Sequence, residues 1–401
     1  MVYQHDPKLE FYYMTHLDNL NSILKEGILS NREIKKRGLN PKKIAKEDIV
    51  KRRIAKGIDD YVNLYIQPRN AMLYKVSRMK GWKIVVLGIS SEVLSQRGIK
   101  LSIGNAASDY STILNENEIN SLPKFIRDIR RIRYWNVDTE TDISKYVKKP
   151  EKLTYHYLSI KKFLQSEVLV PKTVSPKYIR TIYVPNIEIK EEVEGIFRKN
   201  NHYLETVILP ELFFLPRKES TIYTNIKVIQ GDMFISDCEL ITISVNTVGV
   251  MGKGLASRFK YMYPDAFVIY QNLCKYKKIQ PGVPQIYKSE KYERSFLFFP
   301  TKRHWKENSK IEMIKKGLNW CVENFPKHKI KSAAFPALGC GLGNLDWKDV
   351  GPLMVKELLK IKNTNIEIFL PAEKDLPDDY FKKEFYINDK ENARRINLEL
   401  F

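Results

Sequence analysis

The sequence predicts an α+β domain in the first half of the chain and an α/β domain in the second half. From Ile226 onward, apolar strand-like segments alternate with helix-like segments, and two glycine-rich runs each follow one of those strands. Such alternation indicates a three-layer arrangement, a largely parallel sheet with helices on both faces. The first half mixes strands and helices without that regular order, and a length of 401 residues is enough for two or three domains.

The elements of the first half follow from local patterns. A strand at residues 11–14 leads into a helix whose predicted N-cap is Asp18 and whose end is Gly27. Residues 31–58 are basic and are expected to form one or two exposed helices. The remaining segments are expected to be strands at 61–66, 83–89, 168–170 and 179–184, helices at 125–133 and 188–199, and a polar, irregular, mobile loop at 136–155.

The second half is expected to form one continuous α/β unit. Its predicted strands are 226–230, 240–245, 296–299, 330–335 and 366–370, and its predicted helices are 253–262, 309–323 and 347–361. We therefore expect a first domain over 1–212, a linker over 213–225, a second domain over 226–373 and a tail over 374–401. The linker is short and is not rich in Gly or Ser, which favours close coupling of the domains. The tail is polar and is expected to be a peripheral helix or partly disordered.

The charge of the chain predicts a polyanionic partner. The formal net charge is +21, and residues 1–220 carry 39 Lys and Arg against 26 Asp and Glu. Between Arg32 and Lys56 there are eleven basic and three acidic residues. A second basic stretch, 124–152, is interleaved with Phe125, Tyr134, Trp135 and Tyr146, a pattern that suits stacking of bases in single-stranded nucleic acid. The alternative is that the chain comes from a lysine-rich proteome.

Several classes of protein are disfavoured by the composition. No run of 18 apolar residues is present, and the first ten residues lack the layout of a signal peptide. The four cysteines form no CxxC pair and no zinc-binding spacing. We therefore expect a cytoplasmic protein with no membrane partner and no bound metal.

Three segments of the second half carry its chemistry. They read VNTVGVMGKGLA at 245–256, FPTKRHW at 299–305 and PALGCGLG at 336–343. Glycine loops that follow strands expose backbone N–H groups, and the N-terminus of a following helix favours negative charge. Two such loops in one α/β unit predict a site for a phosphate-bearing ligand at the end of the sheet.

Together these segments resemble the macrodomain superfamily over about residues 226–371, and within it the DarG antitoxin branch, which is similar to the human terminal ADP-ribose glycohydrolase. The resemblance implies an ADP-ribose site in which Asp232 accepts from the adenine amino group. It places Asn246 at the distal ribose and backbone N–H groups of both glycine loops at the diphosphate and that ribose. The residues that it assigns to the ligand are Asp232, Met233, Asn246, Thr247, Gly249, Met251, Gly252, Lys253, Gly254, Thr301, Gly339, Cys340, Gly341 and Leu342.

Lys302 is the residue that separates an enzyme from a domain that only binds ADP-ribose. In the DarG branch the corresponding lysine acts at the anomeric carbon of the distal ribose, as a nucleophile or by its charge. Such chemistry suits a lysine beside a desolvated glycine loop, whereas the alternative is an ordinary surface lysine. The human relative has an acidic residue where this chain has Gly343, and Asp346 is expected to cap the next helix instead.

The first half offers four scattered motifs. They read YMTHLDNL at 13–20, QPRNAMLY at 67–74, GNAAS at 104–108 and QSEVLV at 165–170. Glu167 opens a strand after a polar loop, where a carboxylate can bind a ribose hydroxyl and stabilise an oxocarbenium-like ribose, although a solvent-facing residue is the alternative. Arg69 either clamps a pyrophosphate or is a surface charge.

These motifs resemble, in order and over about residues 10–210, the DarT toxins, which transfer ADP-ribose from NAD to bases of single-stranded DNA. The resemblance implies an ADP-ribosyltransferase fold, a split, mixed sheet with helices that binds NAD in its cleft. It also implies that Glu167 is catalytic and that Arg69 contacts NAD and helps to deprotonate the thymine nitrogen. The loop between Trp135 and Gln165 would recognise the substrate, and the basic residues at 32–56 would grip the strand. The predicted NAD contacts are Tyr13, Thr15, His16, Asn19, Arg69, Met72 and Tyr74, with Tyr13 replacing a histidine of the family.

The sequence thus predicts a fusion of a DarT-like transferase with a DarG-like macrodomain, which act on single-stranded DNA in opposite directions. NAD is the expected co-substrate and ADP-ribose the expected ligand of the macrodomain, which supplies the antitoxin function in cis. About 30 residues follow the macrodomain, so restraint of the transferase is expected to rest on hydrolysis or on docking across its cleft. The alternatives are modification of guanine, RNA or protein, or a non-catalytic nucleic-acid-binding module joined to an ADP-ribose reader.

Overall fold

The computed structural model describes residues 10–42, 44, 47–79, 81, 83–132, 139–200, 202–292, 294–372 and 374–387. The chain divides into two compact units that meet between Leu215 and Pro216. Among the described residues, no helix is long and apolar enough to cross a membrane.

The first unit contains a mixed sheet flanked by helices. Its strands are β1 (Glu10–His16), β2 (Ile28–Leu29), β3 (Tyr61–Tyr65), β4 (Ile84–Ser90), β5 (Lys100–Ile103), β6 (Thr112–Asn115), β7 (Glu140–Asp142), β8 (Tyr157–Ser159), β9 (Glu167–Pro171), β10 (Thr173–Val174), β11 (Ile179–Val184) and β12 (Glu205–Ile208). Its helices are α1 (Leu20–Glu26), α2 (Asn31–Lys36), α3 (Glu47–Ala55), α4 (Ala71–Ser77), α5 (Leu122–Arg131), α6 (Ile160–Phe163) and α7 (Ile187–Asn200).

The main sheet of this unit is split at its centre. The strand order is β12-β11-β4-β1-β3-β9-β5-β6. β1 pairs with β4 along its whole length, but it meets β3 only where Tyr12 lies opposite Tyr65. β3 in turn pairs fully with β9, and Glu167 lies opposite Tyr65. The two halves of the sheet therefore diverge beside Glu167, which confirms the predicted split mixed sheet.

Two predictions for the first unit are wrong in detail. Asn19, not Asp18, is the N-cap of α1. The described part of the predicted irregular loop at 136–155 has secondary structure: β7 pairs with β8, and Ile143, Tyr146 and Val147 are buried. These side chains anchor the segment in the core. Residues 133–138, which include Tyr134 and Trp135, lie outside the described residues.

The aromatic residues predicted to interleave with cations for nucleic-acid binding belong to the core. Phe125 has no exposed surface and Tyr146 is almost completely buried. Their rings lie 5.2 Å apart, and both contact Phe163. The amphipathic spacing of α5, which buries Phe125, Ile126 and Ile129 on one face, is the sequence signal for this burial.

The second unit is a doubly covered, largely parallel sheet. Its strands are β13 (Lys218–Tyr223), β14 (Ile226–Gln230), β15 (Leu240–Val245), β16 (Gln285–Ser289), β17 (Arg294–Pro300), β18 (Ser332–Pro336) and β19 (Asn365–Leu370). Its helices are α8 (Gly254–Met262), α9 (Pro264–Lys275), α10 (Ile311–Asn324), α11 (Trp347–Leu358) and α12 (Lys383–Ile387). The strand order is β13-β14-β19-β18-β15-β17-β16, with parallel pairs at the centre and antiparallel pairs at both edges.

The predicted linker and tail both contribute to the second unit. β13 lies within the predicted linker at 213–225 and pairs with β14 along its length, so that segment is not a free connection. In the predicted tail, Phe381 and Tyr386 are buried in the same hydrophobic core as Val228 and Trp347. Burial of these aromatic side chains outweighs the polar character of the surrounding tail. The tail beyond residue 387 lies outside the described residues.

Gly317 of α10 lies where this helix packs on the sheet, and its replacement by alanine is expected to destabilise the second unit. A Cβ at this position would lie 2.3 Å from the ring of Phe299, which has no exposed surface. Overpacking of a core costs about 1–3 kcal/mol. Gly195→Ala on α7 is the control, because its Cβ would approach only the end of Arg198, at 3.9 Å, and a helical alanine is favoured by about 0.5–1 kcal/mol. In urea unfolding followed by circular dichroism, Gly317→Ala should lower the free energy of unfolding and Gly195→Ala should raise it. Equal changes for the two variants would contradict the predicted clash with Phe299.

Candidate active sites

Glu167 lies at the split of the first sheet and is held by a buried network. Its carboxylate has no exposed surface, and both oxygens lie 3.3 Å from Nη2 of Arg53. The Nδ2 amide of Asn63 donates to Oε1 at 3.2 Å, and the backbone N–H of Ala106 donates to Oε2 at 3.2 Å. Nη1 of Arg53 also donates to Oδ1 of Asn63 at 2.7 Å, which closes the network. The alternative that Glu167 is a solvent-facing strand residue is therefore wrong.

Arg53 is a residue of this site that the sequence did not indicate. It belongs to α3, in the basic stretch 32–56 that was predicted to grip a nucleic-acid strand, but its side chain is only 7% exposed. Arg52 beside it is 53% exposed and lies 4.0 Å from Asp109. One member of the basic stretch thus serves as the counter-ion of the predicted catalytic carboxylate, while its neighbour faces solvent.

Burial and the positive charge of Arg53 shift the pKa of Glu167 in opposite directions. Burial raises the pKa of its carboxyl group above the usual value, while Arg53 and hydrogen bonds from Ala106, Asn63 and Tyr65 lower it in part. Burial also raises the pKa of Tyr65 and that of Tyr13, so both phenols remain protonated. Arg53 acts on Tyr13 as well, which places this predicted NAD contact beside the same network.

The acid limb of the transferase pH profile is therefore expected to depend on Arg53. If Glu167 must be ionised to stabilise a positively charged ribose, activity falls as pH drops through its pKa. Arg53→Gln removes the main group that lowers this pKa, so the limb should move to higher pH. Arg52→Gln is the matched control, because Arg52 is adjacent but exposed. Initial rates of transfer between pH 5 and about 9 give the position of the acid limb. Identical pH profiles for Arg53→Gln and Arg52→Gln would contradict the role given to Arg53.

The predicted NAD contacts near β1 form a second group. Nδ2 of Asn19 donates to Oγ1 of Thr15 at 3.1 Å and to the Lys42 carbonyl at 2.9 Å, and so ties this element to the basic stretch. His16 is buried, and its Nδ1 accepts from the Asp18 N–H at 3.2 Å. Burial lowers the pKa of His16, which favours the neutral imidazole.

Arg69 lies in the loop between β3 and α4 and contacts Phe214. Its guanidinium carbon is 4.6 Å from the centre of the Phe214 ring. The ring of Tyr74, another predicted NAD contact, meets the same Phe214 edge-on at 5.2 Å. α4, which also carries Met72, is capped by the Oδ1 of Asn70, which accepts from the Met72 and Leu73 N–H groups. Phe214, from the start of the predicted linker, therefore joins two of the predicted ligand-binding side chains.

The second site is a cradle of glycines at the carboxyl ends of the parallel strands. The loop after β15 holds Gly249 to Gly254, and the loop after β18 holds Gly339 to Gly343. A Cβ at Gly252 or Gly341 would meet no protein atom within 4 Å, so these two positions border open space. A Cβ at Gly254 would lie 3.7 Å from Leu342, which shows that the two loops face each other. Lys253 is the N-cap of α8 and contributes no side-chain cap to it.

Lys302 connects the loop after β17 to the second glycine loop. Its Nζ donates to the Leu342 carbonyl at 2.8 Å and to the Glu307 carbonyl at 3.1 Å. Partial burial lowers the pKa of the ammonium, an effect that Glu307 opposes. Lys302 is thus held beside the glycine cradle with a reduced affinity for its proton, an arrangement that suits a reactive amine.

Two predicted ligand contacts have strong partners within the protein. Asp232 forms a bidentate pair with Arg258 of α8, at 2.6 Å for each bond, and accepts from the Phe234 N–H at 3.1 Å. Asn246 donates from Nδ2 to the Val250 carbonyl at 2.7 Å, while its Oδ1 accepts from the Val248 N–H and from Tyr270. Asn246 therefore shapes the first glycine loop, and Arg258 is a charged neighbour of Asp232 that the motifs did not indicate.

The remaining predicted contacts lie in the loops after β15, β17 and β18, except for Met233, which follows β14. Thr247 donates from its N–H and Oγ1 to the Arg303 carbonyl, at 2.9 and 3.0 Å. Met251 and Thr301 are buried, as is Met233 after β14. Burial raises the pKa of Cys340 to about 12, so this thiol is not a nucleophile at neutral pH.

Gly343 has no room for the acidic side chain found in the human relative. A Cβ at this position would lie 2.3 Å from Oγ of Ser309 and 2.4 Å from the Gly339 carbonyl. Asp346 caps α11, since its Oδ1 accepts from the Lys348 N–H at 2.9 Å, as predicted. Within the described part of the chain, no group of three or more His, Cys, Asp or Glu could hold a metal ion.

Comparisons with known proteins match each of the two units to a family. Residues 12–214 match the family model for DarT, ssDNA thymidine ADP-ribosyltransferase, and residues 244–354 match that for the Macro domain. A DNA ADP-ribosyl transferase–DNA ADP-ribosyl glycohydrolase fusion protein of Thermosipho africanus is 39% identical over 404 residues, or 94% of this chain and 98% of that protein. The structure of Thermosipho africanus DarTG in complex with ADP-ribose is similar with a TM-score of 0.78 and 38% identity, and covers 94% of this chain and 100% of that one. A DNA ADP-ribosyl glycohydrolase of Mycobacterium tuberculosis is 35% identical over 144 residues, or 35% of this chain and 41% of that protein.

Proposed function

The chain belongs to the family of fused DarT-type ADP-ribosyltransferases and DarG-type macrodomain glycohydrolases, and we propose that it both attaches ADP-ribose to thymine bases of single-stranded DNA and removes it. The first unit transfers ADP-ribose from NAD, and the macrodomain hydrolyses the product. The observation that carries this proposal is that each unit holds its own predicted catalytic residue, Glu167 in one and Lys302 in the other, within a built polar site.

The writing step centres on the split sheet. The bond between nicotinamide and C1″ of the ribose breaks, nicotinamide leaves with the bonding electrons, and Glu167 stabilises the positive charge that develops on the ribose. A thymine ring nitrogen then attacks C1″ and loses its proton. Water takes up this proton, and Arg69 assists its loss by its positive charge, because a guanidinium that already carries its proton cannot act as a base. Since Glu167 has no exposed surface, a ribose reaches it only when one of the side chains that cover it moves.

An exposed tyrosine surface beside Glu167 supports a single-stranded substrate. The loop 104–111 donates the Ala106 N–H to Glu167 and also carries the exposed Tyr110. Tyr110 lies 5.1 Å from Tyr155, and Nζ of Lys162 lies 3.6 Å above its ring. Exposed rings flanked by cations suit stacked bases and phosphates, which is the role the sequence had assigned to Phe125 and Tyr146.

The removal step centres on the glycine cradle. Backbone N–H groups of the two loops and the start of α8 favour a diphosphate. Lys302 then acts at C1″ of the distal ribose, where the bond to the base breaks and water supplies the new hydroxyl. This assignment requires Lys302 in its neutral form if it is the nucleophile, and its lowered pKa supports that requirement.

The test of the proposed substrate is a mass measurement. The Lys302→Ala protein is incubated with NAD and three oligonucleotides: a single strand with one thymine, the same strand with cytosine in that place, and the matching duplex. We expect the mass of one ADP-ribose to appear on the thymine single strand alone. The same added mass on a guanine of these strands would indicate a guanine acceptor. No added mass on any of the three would indicate an RNA or protein acceptor, or a non-catalytic binding module.

A further inference from the structure

Four apolar side chains are exposed around the glycine cradle. They lie on three different loops, and they are Val248 and Val250 after β15, Trp305 after β17 and Leu342 after β18. Trp305 is 51% exposed. Single exposed apolar residues are common on proteins, but several on adjoining loops at the mouth of a site indicate a surface for a ligand. We refer to these four residues as the apolar rim.

Hydrogen bonds hold the three loops of the rim together. Thr247 donates twice to the Arg303 carbonyl, which ties the first loop to the second. Lys302 donates to the Leu342 carbonyl, which ties the second loop to the third. The same Lys302 donates to the Glu307 carbonyl and so closes the turn that presents Trp305. Lys302, the predicted catalytic amine, therefore bonds to both of the loops that carry Trp305 and Leu342. An amine that acts at C1″ must lie near the bond from C1″ to the leaving group.

The charge around Trp305 suits a nucleic-acid strand. Arg303 and Lys306 of the same turn are exposed, and Nζ of Lys306 lies 5.2 Å from the Trp305 ring. The His304 ring lies 5.3 Å from the same ring. Glu307 is the acidic side chain of this turn. An exposed indole among cations provides a face for a base and positive charge for the flanking phosphates.

We propose that the apolar rim binds the nucleobase that carries ADP-ribose, with Trp305 as its stacking surface, so that the macrodomain recognises the modified base as well as the ADP-ribose. This inference rests on the proposed removal of ADP-ribose from DNA and names the part of that substrate the rim takes. An ADP-ribose attached to an aliphatic or acidic protein side chain presents no aromatic plane to the rim. The rim therefore favours modified DNA over modified protein.

The test compares Trp305→Ala with Tyr261→Ala. Tyr261 is a matched control, since it is 48% exposed and lies beside Lys260 but belongs to the later part of α8. Both full-length proteins, without NAD, receive an oligonucleotide with one ADP-ribosylated thymine, and release of ADP-ribose gives kcat and KM. Free ADP-ribose binding is measured by calorimetry. Loss of base stacking should lower kcat/KM of Trp305→Ala by about tenfold or more, mainly through KM, and Trp305→Phe should restore most of it.

Each outcome decides the inference. A tenfold loss for Trp305→Ala with unchanged ADP-ribose affinity, and no loss for Tyr261→Ala, supports base recognition by the rim. Equal kcat/KM for the parent and both variants overturns it. A parallel loss of free ADP-ribose affinity also overturns it, because Trp305 would then serve the common ligand. If the parent releases no ADP-ribose from DNA while it binds free ADP-ribose, the proposed removal itself fails and the inference falls with it.

Discussion

Glu167→Gln is expected to reduce transfer of ADP-ribose to single-stranded DNA by at least about 10²-fold, while release of ADP-ribose by the macrodomain stays unchanged. Glutamine keeps the shape of the side chain and removes its negative charge. The charge is what would stabilise the oxocarbenium-like ribose, and the buried position of Glu167 strengthens this effect. Nicotinamide release in the presence of a thymine single strand measures the transfer.

The control for this prediction concerns Arg53. Removal of the carboxylate leaves a buried guanidinium without its counter-ion, which costs about 3–5 kcal/mol when one partner of a buried pair is lost. The double variant Arg53→Gln with Glu167→Gln removes both charges and should recover part of the stability without recovering transfer. Transfer by the stable double variant at the rate of the parent would contradict the catalytic role of Glu167.

Lys302→Ala is expected to reduce release of ADP-ribose from modified DNA by about 10²–10³-fold, with transfer unchanged. The variant loses the amine at C1″ and also the bonds from Nζ to the Leu342 and Glu307 carbonyls. Lys302→Arg separates a nucleophilic role from an electrostatic one, because arginine keeps the positive charge but stays protonated and cannot attack. Single-turnover release from a modified oligonucleotide measures both variants.

The pH dependence of release distinguishes a nucleophilic Lys302 from an electrostatic one. Burial lowers the pKa of Lys302, so the neutral amine becomes available below the usual range for lysine. If the amine is the nucleophile, release rises as pH increases through this lowered pKa, and Lys302→Arg is inactive. If the charge alone acts, release falls over the same range and Lys302→Arg keeps part of the activity. Full activity of Lys302→Ala would exclude both roles.

Much of the second unit could be predicted because its central strands are mostly buried and mostly apolar. β14 and β15 have the predicted bounds, Ile226–Gln230 and Leu240–Val245. The edge strand β13 alternates exposed and half-buried residues and is polar, so its sequence resembles a linker. β16 is similarly half-buried. Their pairing with β14 and β17 stabilises them, and that pairing is a tertiary effect that local pattern does not report.

The candidate site of the first unit could be predicted only in part, since its network joins distant positions. The motif QSEVLV identified Glu167, but its partner Arg53 is separated from it by 114 residues and belongs to a run of similar charges. No local feature distinguishes Arg53 from the exposed Arg52. The cations that flank Phe125 and Tyr146 suggest nucleic-acid stacking, but both residues belong to the core. The helical spacing of Phe125 and Ile129 is the sequence signal for that buried face.

The central claim is that one chain writes and removes the same mark, and labelling of DNA by three proteins tests it most directly. The parent, Lys302→Ala and Glu167→Ala are each incubated with labelled NAD and a thymine-containing single strand, and the DNA is resolved on a gel. Opposed activities predict that label accumulates with Lys302→Ala, stays low with the parent and is absent with Glu167→Ala. Equal label with the parent and Lys302→Ala, or no label with any of the three, would contradict the claim.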